Sequence, residues 1–177
     1  MGDICRSFLA KGDEVDKVKT LKAFLEALKA NGVTYNTKRV DSRLKIQKLV
    51  YLAQIFGVSS IEYEFNRYLR GAYSEELAED YYRIDNVKVS NEDIEMFLND
   101  EKFRKLVKFV KGKSGRWLEI AVEIIETEKV VDDLMKKGLL NGNREDVLVN
   151  MISNRKLVKQ TYVKSVLNEL RSLGDNE

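Results

Sequence analysis

Apolar residues recur along most of this chain with the spacing of a helix, and the pattern gives way once, between residues 61 and 69, to alternation. Over residues 13–30, Val15, Val18, Leu21, Leu25 and Leu28 return every three or four positions, with Phe24 beside them and lysines opposite. This predicts an amphipathic helix stopped by Asn31-Gly32. A second helix over residues 44–56 starts behind Asp41 or Ser42 as N-cap and stops at Gly57. Its apolar residues, Leu44, Ile46, Leu49 to Ala53, Ile55 and Phe56, cover most of the circumference, so it should be the buried hub of the core.

Ile61, Tyr63, Phe65, Arg67 and Leu69 then alternate with Glu62, Glu64, Asn66 and Tyr68, which predicts a short strand. The β-branched stretch 86–89 is expected to return antiparallel beside it. Gly71 can take a positive φ at no steric cost, and Ser74 caps a helix over residues 75–82 with Glu75 and Glu76 in its first turn. Ser90 and Asp93 form a capping-box pair before a helix at 91–98, and further helices follow at 101–110 and 117–137. Residues 111–115 form a basic loop between them. The last two helices are expected at 144–152 and 155–173, separated by Ser153-Asn154 and ended by Gly174. The expected fold is therefore mainly α: a single domain over 13–174 of about seven helices with a small two-stranded antiparallel β element, after a flexible lead-in at 1–12 and before a tail at 175–177.

Composition narrows the function more than it identifies it. With 177 residues and 44% apolar content the chain is long enough to bury a core. The 34% charged fraction divides into 31 basic and 29 acidic residues, and the net charge of +2 gives no argument for nucleic acid. The lone Cys5 excludes an intrachain disulfide. No apolar run approaches the roughly 18 residues of a membrane span, and residues 1–10 lack the apolar stretch of a signal peptide, so a cytoplasmic location is expected. The absence of proline and the high charge are compatible with a thermophilic source.

Catalytic chemistry has little to stand on. There is no histidine, which removes serine-type triads and the usual zinc ligand sets, and Cys5 has no imidazole to activate it. Gly112-Lys113-Ser114 matches the end of a phosphate-binding loop, but the glycine needed five residues earlier is Val107 and no strand precedes it. Glu75, Glu76, Glu79, Asp80, Asp132 and Asp133 are explained as helix-start acids or solvated faces. No catalytic, cofactor-binding or metal-binding residue is assigned, and no cofactor is expected.

Two surfaces remain as candidates. Tyrosines and arginines crowd around Gly71, and these are the residue types that dominate binding hot spots. Arg67, Tyr68, Arg70, Gly71, Tyr73, Tyr81 and Arg83 are therefore the candidate surface for a protein partner. The last two helices also have helix-turn-helix spacing, with Arg155, Lys156, Lys159, Gln160 and Lys164 near the start of the second. That is the alternative of a DNA-binding transcriptional regulator.

The segments Arg43-Leu44-Lys45-Ile46-Gln47-Lys48-Leu49-Val50-Tyr51-Leu52, Tyr63-Glu64-Phe65 and Gly71-Ala72-Tyr73-Ser74-Glu75-Glu76-Leu77 together resemble the YwgA-like proteins of bacteria and archaea. Those carry a K-L-Q-K-L-x-Y helix followed by Y-x-F and G-P-Y-S-x-E-L. A more distant similarity is to the Panacea or SocA-like antitoxin and proteolytic-adaptor domains, and Trp117 to Ala121 resembles the L-E-x-A helix of both groups. The resemblance spans about Asp41 to Leu173. Ala72 stands where the family has proline, which makes the turn less rigid, and Ile46 stands where it has leucine. The resemblance implies a non-enzymatic interaction or regulatory module that acts by binding other proteins, and it brings no catalytic residues.

Overall fold

The computed structural model describes residues 2–68 and 71–174, and side chains within 16–67 and 71–172. Of the sequence expectations, Leu69, Arg70, the side chains of Cys5, Val15 and Tyr68 and the tail at 175–177 lie outside the described residues. Among those described, eight α-helices and one two-stranded sheet form a mainly α domain. In chain order they are α1 (Gly2–Ala30), α2 (Val40–Ile55), β1 (Asn66–Tyr68), β2 (Gly71–Tyr73), α3 (Glu75–Arg83), α4 (Asn91–Asn99), α5 (Glu101–Val110), α6 (Gly115–Lys136), α7 (Arg144–Lys156) and α8 (Gln160–Gly174). A single 3-10 turn, Ile84–Asn86, follows α3.

Local chemistry sets most of the boundaries. The Ser74 hydroxyl accepts from the Leu77 amide, Ser90 and Asp93 complete a capping box, and Asp100, Ser114 and Asn143 cap α5, α6 and α7. The start of α2 corrects the expectation. The helix begins at Val40 behind an extended Arg39 with no side-chain cap, because the Ser42 hydroxyl accepts the Asn36 amide instead. At the other end of the chain order, α1 is helical from Gly2, well before the expected start at Asp13.

The central place given to α2 holds. Ile46, Leu49, Val50, Leu52 and Ala53 are fully buried, and the helix packs against α6, α5, α3 and β2. On one side α1 lies along α4, and Phe24 meets Phe97 and Phe103 edge-on at 5.6 and 5.9 Å. On the other, α7 and α8 pack on α6 with Leu148, Val149, Ile152, Val163, Val166 and Leu167 buried between them.

The sheet differs from the expectation in its partner. β1 pairs antiparallel with β2, with Asn66 opposite Tyr73, Arg67 opposite Ala72 and Tyr68 opposite Gly71, and not with 86–89. Two side chains explain this. Gln54 bonds both the amide and the carbonyl of Tyr63, at 3.1 and 3.0 Å, so the run ahead of β1 is satisfied without a neighbouring strand. Lys22 takes the Val87 carbonyl at 2.5 Å. The alternation read in the sequence is real, since Ile61 and Tyr63 are buried and Glu62 and Glu64 exposed. Over residues 61–65 it has no ladder, and only Asn66–Tyr68 pairs.

Because Phe24 is fully buried and touches two other rings, Phe24→Ala should cost about 3–5 kcal/mol of unfolding free energy in a urea titration, with the far-ultraviolet helical signal retained.

Candidate functional site

The residues that organise the site sit on α2 in the middle of its apolar surface. Gln47 and Lys48 are 0% and 3% exposed, so each must find a partner inside the protein. The Gln47 amide nitrogen donates to the Ser74 carbonyl at 2.9 Å and its oxygen accepts the Ser74 amide at 2.9 Å. This reciprocal pair fixes the end of β2 and the start of α3 against α2. Lys48 donates to the Ala72 carbonyl at 2.5 Å.

Below β2, α6 contributes Glu123, 1% exposed. Its Oε1 accepts from Arg67 on β1 at 3.0 Å and also from Arg155 on α7, and its Oε2 lies 3.2 Å from the Lys156 ammonium. Arg67 and Arg155 each reach the Thr127 hydroxyl, one turn further along α6, at 3.4 Å. Lys156 also bonds Glu119 at 3.2 Å. Burial pushes the Glu123 carboxyl up, but the charge of Lys156 and the hydrogen bonds from Arg155, Arg67 and Lys156 outweigh it and hold the group below the ordinary glutamate range. The neighbouring Glu126, half-buried, is pushed up by burial and by the charge of Glu123. Lys48 is pulled down to about 8, first by burial and then by repulsion from Lys156, against the attraction of Glu119, Glu126 and Glu123.

Gly71 closes this cluster from above. Its φ of +83° is left-handed, and a Cβ built on it would lie 3.5 Å from a Glu123 oxygen, 3.6 Å from the Lys48 ammonium and 3.8 Å from that of Lys156. A side chain there would meet both backbone strain and the charged groups.

The proposed protein-contact residues separate into inside and outside. Gly71 and Tyr81 are buried, Arg67 keeps its guanidinium on Glu123 and Thr127, and Tyr73 is half-buried. Gly71 and Tyr81 are therefore supports and not contact residues. What faces outward is Arg83, beside Asp80 at 3.7 Å, and Tyr82, 62% exposed. The Tyr82 ring leans on Tyr81 at 5.1 Å, and the Arg43 guanidinium sits 5.5 Å over its centroid. Burial and the hydrogen bond with Tyr73 push the Tyr81 phenol up to about 12. Tyr82 is one of the tyrosines that the sequence crowds around Gly71, whereas Arg43 belongs to this corner although sequence reasoning did not assign it there.

The alternative DNA-contact residues do not share a helix. α7 runs on to Lys156, Leu157 takes a left-handed φ of +50°, and α8 begins only at Gln160. The Ser153-Asn154 turn expected from sequence does not form, because the Ser153 hydroxyl donates to the Val158 carbonyl at 2.5 Å and lets α7 continue. Arg155 and Lys156 thus end α7 and point to Glu123, Gln160 donates to Asn150 and Lys164 meets Asp146, while Lys159 is exposed between the helices.

The acids also have structural partners. Tyr63 donates to the buried Asp80 at 2.9 Å, Asp132 holds Arg144 and Asp133 holds Lys137. Among the described residues no group of three acidic, cysteine or histidine side chains is placed to hold a metal ion, and no helix is long and apolar enough to cross a membrane. No protein-family model, curated protein or solved structure matches this chain.

Glu123→Gln keeps the shape but leaves Arg67, Arg155 and Lys156 without their shared carboxylate, and should cost about 3–5 kcal/mol in chemical denaturation. Lys48 gives a pH signature. The unfolded chain keeps this proton up to its ordinary pKa of 10.5 while the folded chain loses it near 8, so stability should rise with pH from about 8 until the tyrosines of the unfolded chain ionise near 10.0. The slope from this one group is about 1.4 kcal/mol per pH unit at most, and it should vanish in Lys48→Met when unfolding is followed across that range.

Proposed function

We propose that this protein is a binding module with no chemistry of its own, and that it presents the corner formed by Tyr73, Tyr82, Arg83 and Arg43 to another protein. The observation that carries the reading is Tyr82, a large aromatic side chain left 62% exposed while its neighbours hold it in place. Tyr81 beneath it is 4% exposed, and Arg43 covers its face. A ring held outward in this way loses little conformational entropy on binding, which is the property of an aromatic hot spot. The arginines around it favour a partner that offers carboxylates.

The resemblance to adaptor-like and antitoxin-like proteins supports the same reading, since those act through protein contacts. The DNA-binding alternative finds less support, because two of its five residues are committed to a buried carboxylate.

The test is affinity capture from the native cell with the full chain and with the double variant Tyr82→Ala, Arg83→Ala. A protein retained by the parent chain should be reduced at least tenfold by the double variant, which should melt within a few degrees of the parent because both side chains are exposed. Equal capture by both chains, or binding of duplex DNA with no protein retained, would overturn the reading.

A further inference from the structure

Away from the tyrosine corner, the first turns of α2 and α6 and the last turn of α7 enclose an open cavity of about 720 Å³. Its walls are unusually cationic. Lys45, Lys48, Arg116, Arg155 and Lys156 line it, against the carboxylates of Asp41 and Glu119. The cations form two tiers: the ammonium-bearing side chains of Lys48 and Lys156 are each 3% exposed, whereas Arg116 and Arg155 are 44% and 35% exposed. The size falls within the range of small-molecule sites.

Two further observations point to an anion. The ammonium groups of Lys48 and Lys156 come together beside Gly71, 3.6 and 3.8 Å from an added Cβ, with one Glu123 oxygen at 3.5 Å as the carboxylate atom at that point. The nearby acids, Glu119, Glu123 and Glu126, are outnumbered by cations: Glu119 is also held by Arg116 at 2.7 Å, and Glu123 is shared among Arg67, Arg155 and Lys156. Lys48 has the Ala72 carbonyl, a neutral acceptor, as its hydrogen-bond partner. In addition, α2 and α6 both turn their N-terminal ends to the cavity, α2 without a side-chain cap and α6 with its Trp117 amide taken by Ser114 but with Gly115, where an added Cβ would meet nothing within 4 Å. Helix N-termini carry a partial positive charge and free amides, which reinforces what the side chains already provide.

We infer that this cavity is a binding site for a small phosphorylated molecule, with Lys48 and Lys156 at its base and Lys45, Arg116 and Arg155 at its rim. Several anionic oxygens on one centre can be shared among cations on three helices, and the planar forks of the arginines suit phosphate oxygens. Occupation also relieves the repulsion between Lys48 and Lys156. Lys48 faces Lys156 on α7, Glu119, Glu123 and Glu126 on α6, and the Ala72 carbonyl on β2, so a bound dianion shifts it back toward its ordinary range. Binding then takes up a proton at pH values where free Lys48 has lost it.

Isothermal titration of the full chain at low salt, with ADP and inorganic pyrophosphate as probes and citrate as a carboxylate comparison, tests the assignment. One site per chain is expected, with ADP or pyrophosphate bound at least tenfold more tightly than citrate. Arg116→Ala and Lys45→Ala, both at the rim, should each weaken binding by about tenfold or more and leave the melting temperature close to that of the parent. Lys88→Ala, an exposed lysine outside the cavity, and Tyr82→Ala should leave binding unchanged. For ADP, whose own charge is constant there, affinity should fall above about pH 8 by up to about tenfold per unit, and Lys48→Met should reduce that fall, leaving what Lys45, whose pKa burial also lowers, contributes.

Absence of saturable binding by the folded chain at millimolar probe would overturn the inference. So would citrate binding as tightly as the phosphates, equal losses in the rim and control variants, or binding of an oligonucleotide where both small phosphates fail. Because Tyr82 lies outside the cavity, these outcomes are independent of whether the tyrosine corner holds a protein.

Discussion

A single carboxylate, that of Glu123, connects parts of the chain that are far apart in sequence. It receives Arg67 from β1 and Arg155 and Lys156 from the end of α7, all at a point 1% exposed to solvent. Burying a charge costs several kcal/mol unless its partners are close and its lone pairs are filled, and here three cations meet that condition, two of them also held by the Thr127 hydroxyl. Two strands of three residues each have little stability of their own. Their position is set from below by this ion cluster and from the side by Gln47 and Lys48, which reach the backbone of residues 74 and 72.

The arrangement over-supplies positive charge. Lys48, Arg67, Arg155 and Lys156 outnumber Glu119, Glu123 and Glu126, and of these cations Lys48 and Lys156 are the two shielded from water. Folding cannot remove the mismatch by moving Lys48 outward, because α2 is enclosed by α3, α5, α6 and β2. The protein instead lowers the proton affinity of Lys48 and keeps an opening next to it.

Much of the frame is readable from residue order, because it depends on near neighbours. The apolar circumference of α2, the Ser74 cap and the Ser90–Asp93 box are all local, and each is found as expected. The misplaced features share a different cause, a side chain that reaches a backbone group far away or across a turn. Gln54 satisfies Tyr63 and so removes the need for a strand at 86–89, Ser42 turns to Asn36 instead of capping α2, and Ser153 bonds Val158 so that α7 continues through the expected turn. That last shift decides the site, since it turns Arg155 and Lys156 from the start of an exposed helix into partners of Glu123.

The position of the site nevertheless leaves a mark on the sequence. A helix that is apolar around most of its perimeter has no solvent side for a glutamine and a lysine in succession, so Gln47 and Lys48 must meet polar groups that lie within the fold. Consecutive helical residues point about 100° apart, whereas the groups they find, at Ser74 and Ala72, are two residues apart on an extended chain. Such a match requires an extended segment with free carbonyls and amides running across the helix, which the interior of an α-helix cannot offer and a short strand leading into a helix N-cap can. The adjacent polar pair in α2 therefore marks where β2 must dock, and with β2 in place Gly71, Glu123 and Lys156 are brought to the same point.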